Sequence, residues 1–402
     1  MRNFSELRQQ FPLIEAGTLT FLDSASTTQK PASVIAAMDS FYRTLNANIH
    51  RGIYQLSQKA TDAYEEARES VRDFIGATDS REIVFVRGVT EGINLVAHSF
   101  LRPRLQPEDE VVLTEMEHHS NIVPWQLICE EKGAHLRVAP ITDDGEIILA
   151  ELEKLLTART KLLSITHVSN TLGTINPIRE IVCLAHKKGV PVCIDGAQAV
   201  AHVPVNVKEL GCDFYAFSAH KAYGPLGTGA LYGKLSHLNT MPPYQGGGDM
   251  ISSVSFTRTE YQESPQRFEA GTPHIAGPIA FVESMKFLQS LDWESIQSHE
   301  QALGELARSL LSKIPGVQII GNAARRIGII SFTLSGVHPH DIGTILDQHN
   351  VAIRTGHHCT QPLMERLGVS ATARVSLGVY NDEKDLERLL IGLQSVRKIF
   401  PA

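Results

Sequence analysis

Two stretches of the chain hold side chains of reactive type. In the first, Ser218-Ala219-His220-Lys221 follows the apolar run Phe214-Tyr215-Ala216-Phe217 and precedes a turn through Gly224 and Pro225. A lysine ending a buried strand loses solvation, which depresses its pKa and leaves the neutral amine that Schiff-base chemistry needs. A surface lysine after a strand is the ordinary alternative, so the reactive reading needs partners elsewhere. In the second, Cys359 follows His357 and His358 in a loop just past a strand, with Arg354 near in sequence. An electropositive, partly exposed setting makes a thiolate available as a nucleophile. The same residues are metal-ligand types, but they lack the second cluster of a structural zinc site. Cys129, Cys183, Cys193 and Cys212 fall in apolar helix or strand patterns and read as small buried hydrophobes.

Other candidate groups fall at strand ends. Asp195 terminates Val192-Cys193-Ile194, where an ionised carboxylate needs a partner. A protonated pyridine nitrogen supplies one, and an aspartate–pyridinium pair beside a lysine Schiff base is how proteins hold pyridoxal phosphate. Capping of the next helix is the alternative role for Asp195. Gly88-Val89-Thr90-Glu91-Gly92 is read as a strand-to-helix turn, with amides and a hydroxyl for a phosphate. His118 follows a strand and can stack on a planar ring or move protons. Asn48-Ile49-His50-Arg51-Gly52 is a loop with two cationic or titratable groups, equally readable as a solvated turn.

The elements that must position these groups alternate. Strands are expected at 83–86, 111–114, 162–168, 190–195 and 214–217, with helices near 93–100, 121–131 and 178–188. Repeated βα units imply a mainly parallel sheet covered on both faces, with ligands beyond the carboxyl ends of its strands. Gly229-Ala230-Leu231-Tyr232-Gly233 returns after too short a link for a helical crossover, so it is expected to pair antiparallel. Helices are also expected from Pro31 to about Leu45, from Thr61 to Ile75 and from Ile275 to Gln289. Residues 244–274 read as loop-like, and strands near 327–332 and 351–354 with a helix over 340–349 suggest a smaller α+β part.

With 402 residues, two domains are the natural prior. The expected division is an N-terminal segment 1–20 packing with the small domain, a large domain 21–260, and a linker helix with the small domain over 261–402. A net charge of −7 gives no basic surplus for nucleic acid or an anionic membrane. An odd, scattered set of five cysteines fits a reducing cytoplasm. The start of the sequence has no apolar core of a signal peptide, and its Phe4, Leu7, Phe11 spacing suits a short amphipathic helix. No run approaches the ~18 apolar residues of a membrane span.

Asp195-Gly196-Ala197-Gln198 together with Ser218-Ala219-His220-Lys221 resembles the cofactor site of fold-type I pyridoxal-phosphate enzymes. The remaining motifs resemble class V aminotransferase-like cysteine desulfurases of the SufS/CsdA type, relatives of the selenocysteine lyases. They include Thr90-Glu91-Gly92-Ile93-Asn94, Glu117-His118-His119-Ser120-Asn121, Arg267-Phe268-Glu269-Ala270-Gly271-Thr272 and Arg354-Thr355-Gly356-His357-His358-Cys359, so the resemblance spans essentially the whole chain.

The resemblance implies an α/β fold and roles for single residues. Lys221 would carry pyridoxal 5'-phosphate and move the α-proton, Asp195 would pair with its ring nitrogen, and Gln198 would bond its phenolic oxygen. His118 would stack on the ring. Thr90, Ser218 and His220 would bind the phosphate, joined by Thr272 of a second subunit in a homodimer. Asn170 and Arg374 would clamp the substrate carboxylate, Arg354 would join them in binding substrate, and His50 and Arg51 would line the site near the dimer interface. Glu91 would order the cofactor loop.

Cys359 would take sulfur from L-cysteine as a persulfide and leave L-alanine, supplying an acceptor protein for iron–sulfur or other sulfur-cofactor assembly. L-selenocysteine as substrate, or a non-catalytic sulfur relay, are the alternatives. Departures from the pattern are small: Ala219 and Ala222 flank the lysine region, Thr171 follows Asn170, and Thr360-Gln361 follow the cysteine.

Overall fold

The computed structural model describes residues 4–401, so Met1 to Asn3 of the expected N-terminal segment lie outside the described residues. Seven strands form the main sheet: β1 (Ile83–Val86), β2 (Glu110–Thr114), β3 (His135–Ala139), β4 (Thr160–Thr166), β5 (Val192–Asp195), β6 (Phe214–Ser218) and β7 (Gly229–Gly233). Their spatial order is β1-β7-β6-β5-β4-β2-β3. β7 alone runs opposite to the other six strands, pairing antiparallel with β6 as the short link predicted and with β1.

The strands alternate between two cores. Val111, Leu113, Cys193, Phe214 and Ala216 face one, while Val112, Val192, Ile194, Tyr215 and Phe217 face the other. Burial on both faces explains why these strands read as continuous apolar runs. Register then aligns the carboxyl ends, pairing Thr166 with Asp195, Asp195 with Ala216, and Ser218 with Gly229. A Cβ on Gly229 would sit 2.5 Å from Phe217 O and 2.8 Å from Gly88 Cα, so only glycine lets the start of β7 lie this close to β6 and to the backbone at Gly88.

A four-stranded antiparallel sheet follows in the order Val317–Ile320, Ile329–Leu334, Thr372–Ser376, Arg354–Gly356. Helices Trp293–Ser312, Pro339–Gln348 and Glu383–Ile399 enclose a third core against it. Thr20–Phe21 pairs with Val351–Ala352, and Arg8 donates to Asp385 at 2.7 Å. Phe11 packs on Tyr223, Phe287 and Tyr380, which fastens the N-terminal helices where the two sheets meet.

Three sequence expectations change, and one strand and two helices appear where none was expected. Residues 89–92 are not a turn but open the helix Val89–Leu95. Strand β3 was not legible, because it is an edge strand, largely solvent-exposed, with a mixed polar and apolar sequence. The stretch 244–274 contains a hairpin, Ile251–Val254 with Thr259–Tyr261. Cys183 is exposed, because the helix Ile178–Lys187 buries Ile181, Val182 and Ala185 and turns the cysteine outward. The two long C-terminal helices were also missed, although Asp292 and Asp382 cap them through their side chains and are readable start signals.

Behind β1, Arg68 is fully buried and forks onto Glu269 with bonds of 2.6 and 3.0 Å. Glu269 Oε1 also accepts the Phe85 N–H at 2.7 Å. Helix Gln55–Phe74, β1 and the 266–274 loop are therefore joined at one carboxylate. Arg68→Met would leave that carboxylate buried without its cation. We expect a loss of about 3–5 kcal/mol, read as a lower urea midpoint at an unchanged slope.

Candidate active site

One cavity opens beyond the carboxyl ends of β4, β5 and β6, at the junction with the smaller sheet. Lys221, Asp195 and His118 line it, and so do Cys359, Arg354 and Arg374 from the smaller sheet and its loop. Thr90, Ser218, His220, Gln198 and Asn170 complete the predicted residues that share this space. Glu91 and Thr272 instead line a second pocket together. His50 is held between Asp249 at 3.1 Å and Glu65 at 3.0 Å, and Arg51 lies 3.5 Å from Asp249. Neither His50 nor Arg51 lines the cavity within the single chain.

Lys221 follows β6 in a tight turn that burial dominates. Desolvation pushes its amine down to about 8, with Asp195 pulling the other way. Asp195 is buried, and that burial raises its carboxyl, opposed by the Ala197 N–H and by Lys221. Its Oδ1 accepts from Ala197 N at 2.9 Å, whereas the next helical turn, Ala199–Ala201, has Gln198 at its N-cap and no side-chain cap. Helix capping is thus not the work of Asp195. Gln198 donates to Ala25 O at 2.7 Å.

His118 caps the turn His119–Asn121 by accepting the Ser120 N–H on Nδ1 at 3.0 Å. That bond puts its proton on Nε2. Burial first, then the charges of Lys221, His119, Arg374 and Arg354, push its pKa down to about 3. The ring is therefore neutral near pH 7. Glu117, which sequence reasoning left without a role, lies underneath this turn and accepts from Thr114 and Asn121. Burial raises it to about 8, so it is a neutral carboxylic acid at pH 7. No sequence signal separates it from a solvated acid beside two histidines.

Hydroxyls gather at one side of the cavity. Thr90 and Ser120 are 2.7 Å apart, and Ser218 Oγ accepts from Val89 N at 2.9 Å. Ser120 falls within the motif 117–121 but was given no role, because a hydroxyl after a histidine pair does not by itself point to a phosphate. On the other side, Arg374 donates to Asn170 O, Asp23 and Ser26, each at 2.9 Å, while its buried Nε has no partner among the described residues. Arg354 pairs directly opposite Arg374 across the two strands. Like charges in register repel, so this pair suits an anionic ligand.

The nucleophile loop is held from both ends. Asn170 Nδ2 donates to His358 O at 2.8 Å, and His119 N donates to Cys359 O at 2.8 Å. His358 and Cys359 have φ of 53° and 58°, a left-handed pair that costs roughly 1–2 kcal/mol per residue and needs such anchors. Cys359 is partly exposed. His358 spends Nε2 on Thr372 at 2.7 Å, and among the described residues no three His, Cys, Asp or Glu side chains converge as metal ligands.

A buried carboxylate for a ring nitrogen, hydroxyls and an imidazole for a phosphate, and an amine of depressed pKa for an aldehyde make a donor set that fits pyridoxal 5'-phosphate. The fold and the site together define a fold-type I pyridoxal-phosphate enzyme. Sequence comparison narrows the class, since the profile of the family described as aminotransferase class-V matches residues 20–389. A probable cysteine desulfurase of Mycolicibacterium paratuberculosis is 49% identical over 98% of this chain, which spans only 58% of that longer relative. A probable cysteine desulfurase of Halalkalibacterium halodurans is 46% identical, with 99% of both chains covered. The apo structure of a cysteine desulfurase from Thermococcus onnurineus NA1 superposes with a TM-score of 0.95 at 37% identity, covering 100% of this chain and 99% of that one. The chain belongs to the aminotransferase class-V family, and its cofactor is pyridoxal 5'-phosphate.

Proposed function

We propose that this enzyme is a cysteine desulfurase, which takes sulfur from L-cysteine onto Cys359 and releases L-alanine. The observation that carries the reading is that Cys359, on its anchored loop, lines the same cavity as Lys221, Asp195 and His118. When bound, the cofactor supplies an electron sink for the charge left on the substrate Cα. Asp195 would keep the ring nitrogen protonated, and Thr90, Ser120, Ser218 and His220 would hold the phosphate. Arg374, helped by Arg354, orients the substrate carboxylate, while Asn170 holds the loop through His358 as well as bounding the substrate space.

Lys221 is the base for the α-proton, because its amine is largely neutral above about pH 8. The Cys359 thiolate attacks the substrate sulfur. A sulfur–sulfur bond forms and the substrate Cβ–sulfur bond breaks; Cβ keeps the electron pair and takes a proton, and Lys221 returns the α-proton to Cα to complete alanine. The Nε2–H of His118 is the donor we assign to proton transfer in the cavity. The loop position then presents the persulfide to an acceptor, for which a sulfur-carrier protein or an iron–sulfur scaffold fits best.

Thr272 reaches no part of the cavity within one chain, so a homodimer in which it completes the phosphate site of the partner is part of the proposal. Among the described residues no helix is long and apolar enough to cross a membrane. We place the enzyme in the reducing cytoplasm, where free thiols persist.

The test is the holoenzyme with sulfur-labelled L-cysteine. Equal amounts of alanine and sulfide with a reductant present, and label on the Cys359 peptide without it, are the expected results. Pyruvate and ammonia in place of alanine would show elimination and overturn the reading.

A further inference from the structure

The carbonyl oxygen of His220, in the peptide that joins it to Lys221, receives more donors than it can serve. Thr28 N lies 3.0 Å away, Lys30 Nζ 2.9 Å, and the hydroxyls of Thr27 and Thr28 each 3.1 Å. A carbonyl oxygen has two lone pairs. The backbone amide and the charge-assisted bond from Lys30 are the strongest of the four and fill them. The hydroxyl of Thr28 accepts from Tyr223 N at 2.9 Å, and its own proton has no acceptor among the described residues except the crowded carbonyl. The single proton of Thr27 is then released for its other neighbour, His220 Nδ1 at 3.2 Å.

Lys30 also points a donor at Thr27 Oγ1 from 3.4 Å, which occupies a lone pair of that hydroxyl and turns its proton toward the imidazole. Lys30 has no carboxylate partner among the described residues; it donates to the Thr28 and His220 carbonyls and to Thr27. It is part-buried beside the cavity, and desolvation lowers its amine only to about 8, so it remains mostly cationic at pH 7. His220 is pushed down to about 4 by burial, then by Lys221 and Lys30, and is neutral there. A neutral imidazole donates from one nitrogen only, so whichever atom Thr27 engages decides what the other shows the cavity.

We propose that Lys30 is a positioning residue that acts through Thr27 to hold His220 in the Nε2–H tautomer, turning the imidazole into a donor for the cofactor phosphate. Without the cation, the Thr27 proton returns to the His220 carbonyl, Nδ1 must donate to Thr27, and Nε2 meets the phosphate with a lone pair. This inference rests on the phosphate site of the proposed function, and the experiment separates the two.

Apoenzyme is titrated with pyridoxal 5'-phosphate and with pyridoxal, which has the aldehyde and ring but no phosphate. In wild type, tight and saturable binding of the phosphorylated form supports the cofactor reading, and its absence would sink that reading on its own. Lys30→Met is expected to weaken pyridoxal 5'-phosphate binding about 10–100-fold, the worth of one charge-assisted hydrogen bond, and to leave pyridoxal within about twofold. Thr27→Val, which keeps the lysine and removes the relay, is expected to match it and carries the test if Lys30→Met does not fold. An equal loss for both ligands would mean general disruption of the Lys221 turn. That result, unchanged phosphate binding in Lys30→Met, or wild-type discrimination in Thr27→Val would each overturn the proposal.

Discussion

Cys359→Ser is expected to lower alanine production from L-cysteine by at least about 10³-fold, with bound cofactor and its absorption spectrum unchanged. The substitution trades a strongly nucleophilic sulfur for a weakly nucleophilic hydroxyl, in a loop whose anchors are backbone and neighbouring side chains. Asn170 holds the His358 carbonyl and His119 holds the Cys359 carbonyl, so neither bond depends on the sulfur. The loop should therefore keep its shape, and the effect isolates the nucleophile. Rapid mixing that follows the cofactor absorbance through one turnover is the decisive measurement. A spectral change on cysteine addition with no alanine released places the block at sulfur transfer. Unimpaired alanine release in the variant would sink the persulfide mechanism. If that variant also retained turnover of L-selenocysteine, a lyase that needs no enzyme thiol would become the better description.

Lys221→Ala is expected to abolish turnover, with a fall of at least about 10⁴-fold. The same residue predicts a pH profile in the wild-type apoenzyme. Its amine is depressed to about 8, chiefly by desolvation, and only the neutral form attacks an aldehyde. Below that pH the amine is protonated, so the rate of covalent cofactor capture should rise with pH through about 8 and then level. A profile still climbing toward the ordinary lysine range would show that burial does not tune this side chain. Stopped-flow absorbance of the apoenzyme with excess cofactor reads the midpoint directly. Product formation by Lys221→Ala from cysteine, unrescued by added amines, would remove the lysine from the mechanism.

The amino-acid sequence by itself determined the reactive inventory and the order in which the fold delivers it. Lysine after β6, aspartate ending β5, histidine after β2 and cysteine after a strand of the smaller sheet all follow from local patterning. Strands buried on both faces read as unbroken apolar runs, and side chains at their carboxyl ends are the ones a parallel sheet brings together. The short link before β7 fixed its direction for the same local reason. These properties depend on neighbours a few residues away, which a sequence displays.

Only the tertiary structure decided matters that rest on burial and on long-range bonds. It turned Cys183 outward, made Glu117 a buried acid, and showed Asp195 bonding its own loop instead of capping a helix. It set Arg354 against Arg374 in register, left one guanidinium nitrogen of Arg374 unpartnered, and tied Asn170 to the nucleophile loop. It also separated Glu91, Thr272, His50 and Arg51 from the cavity of their own chain. The convergence on the His220 carbonyl joins residues about 190 positions apart. Desolvation and hydrogen-bond competition are set by which atoms are excluded from water together, and chain position alone carries no record of that.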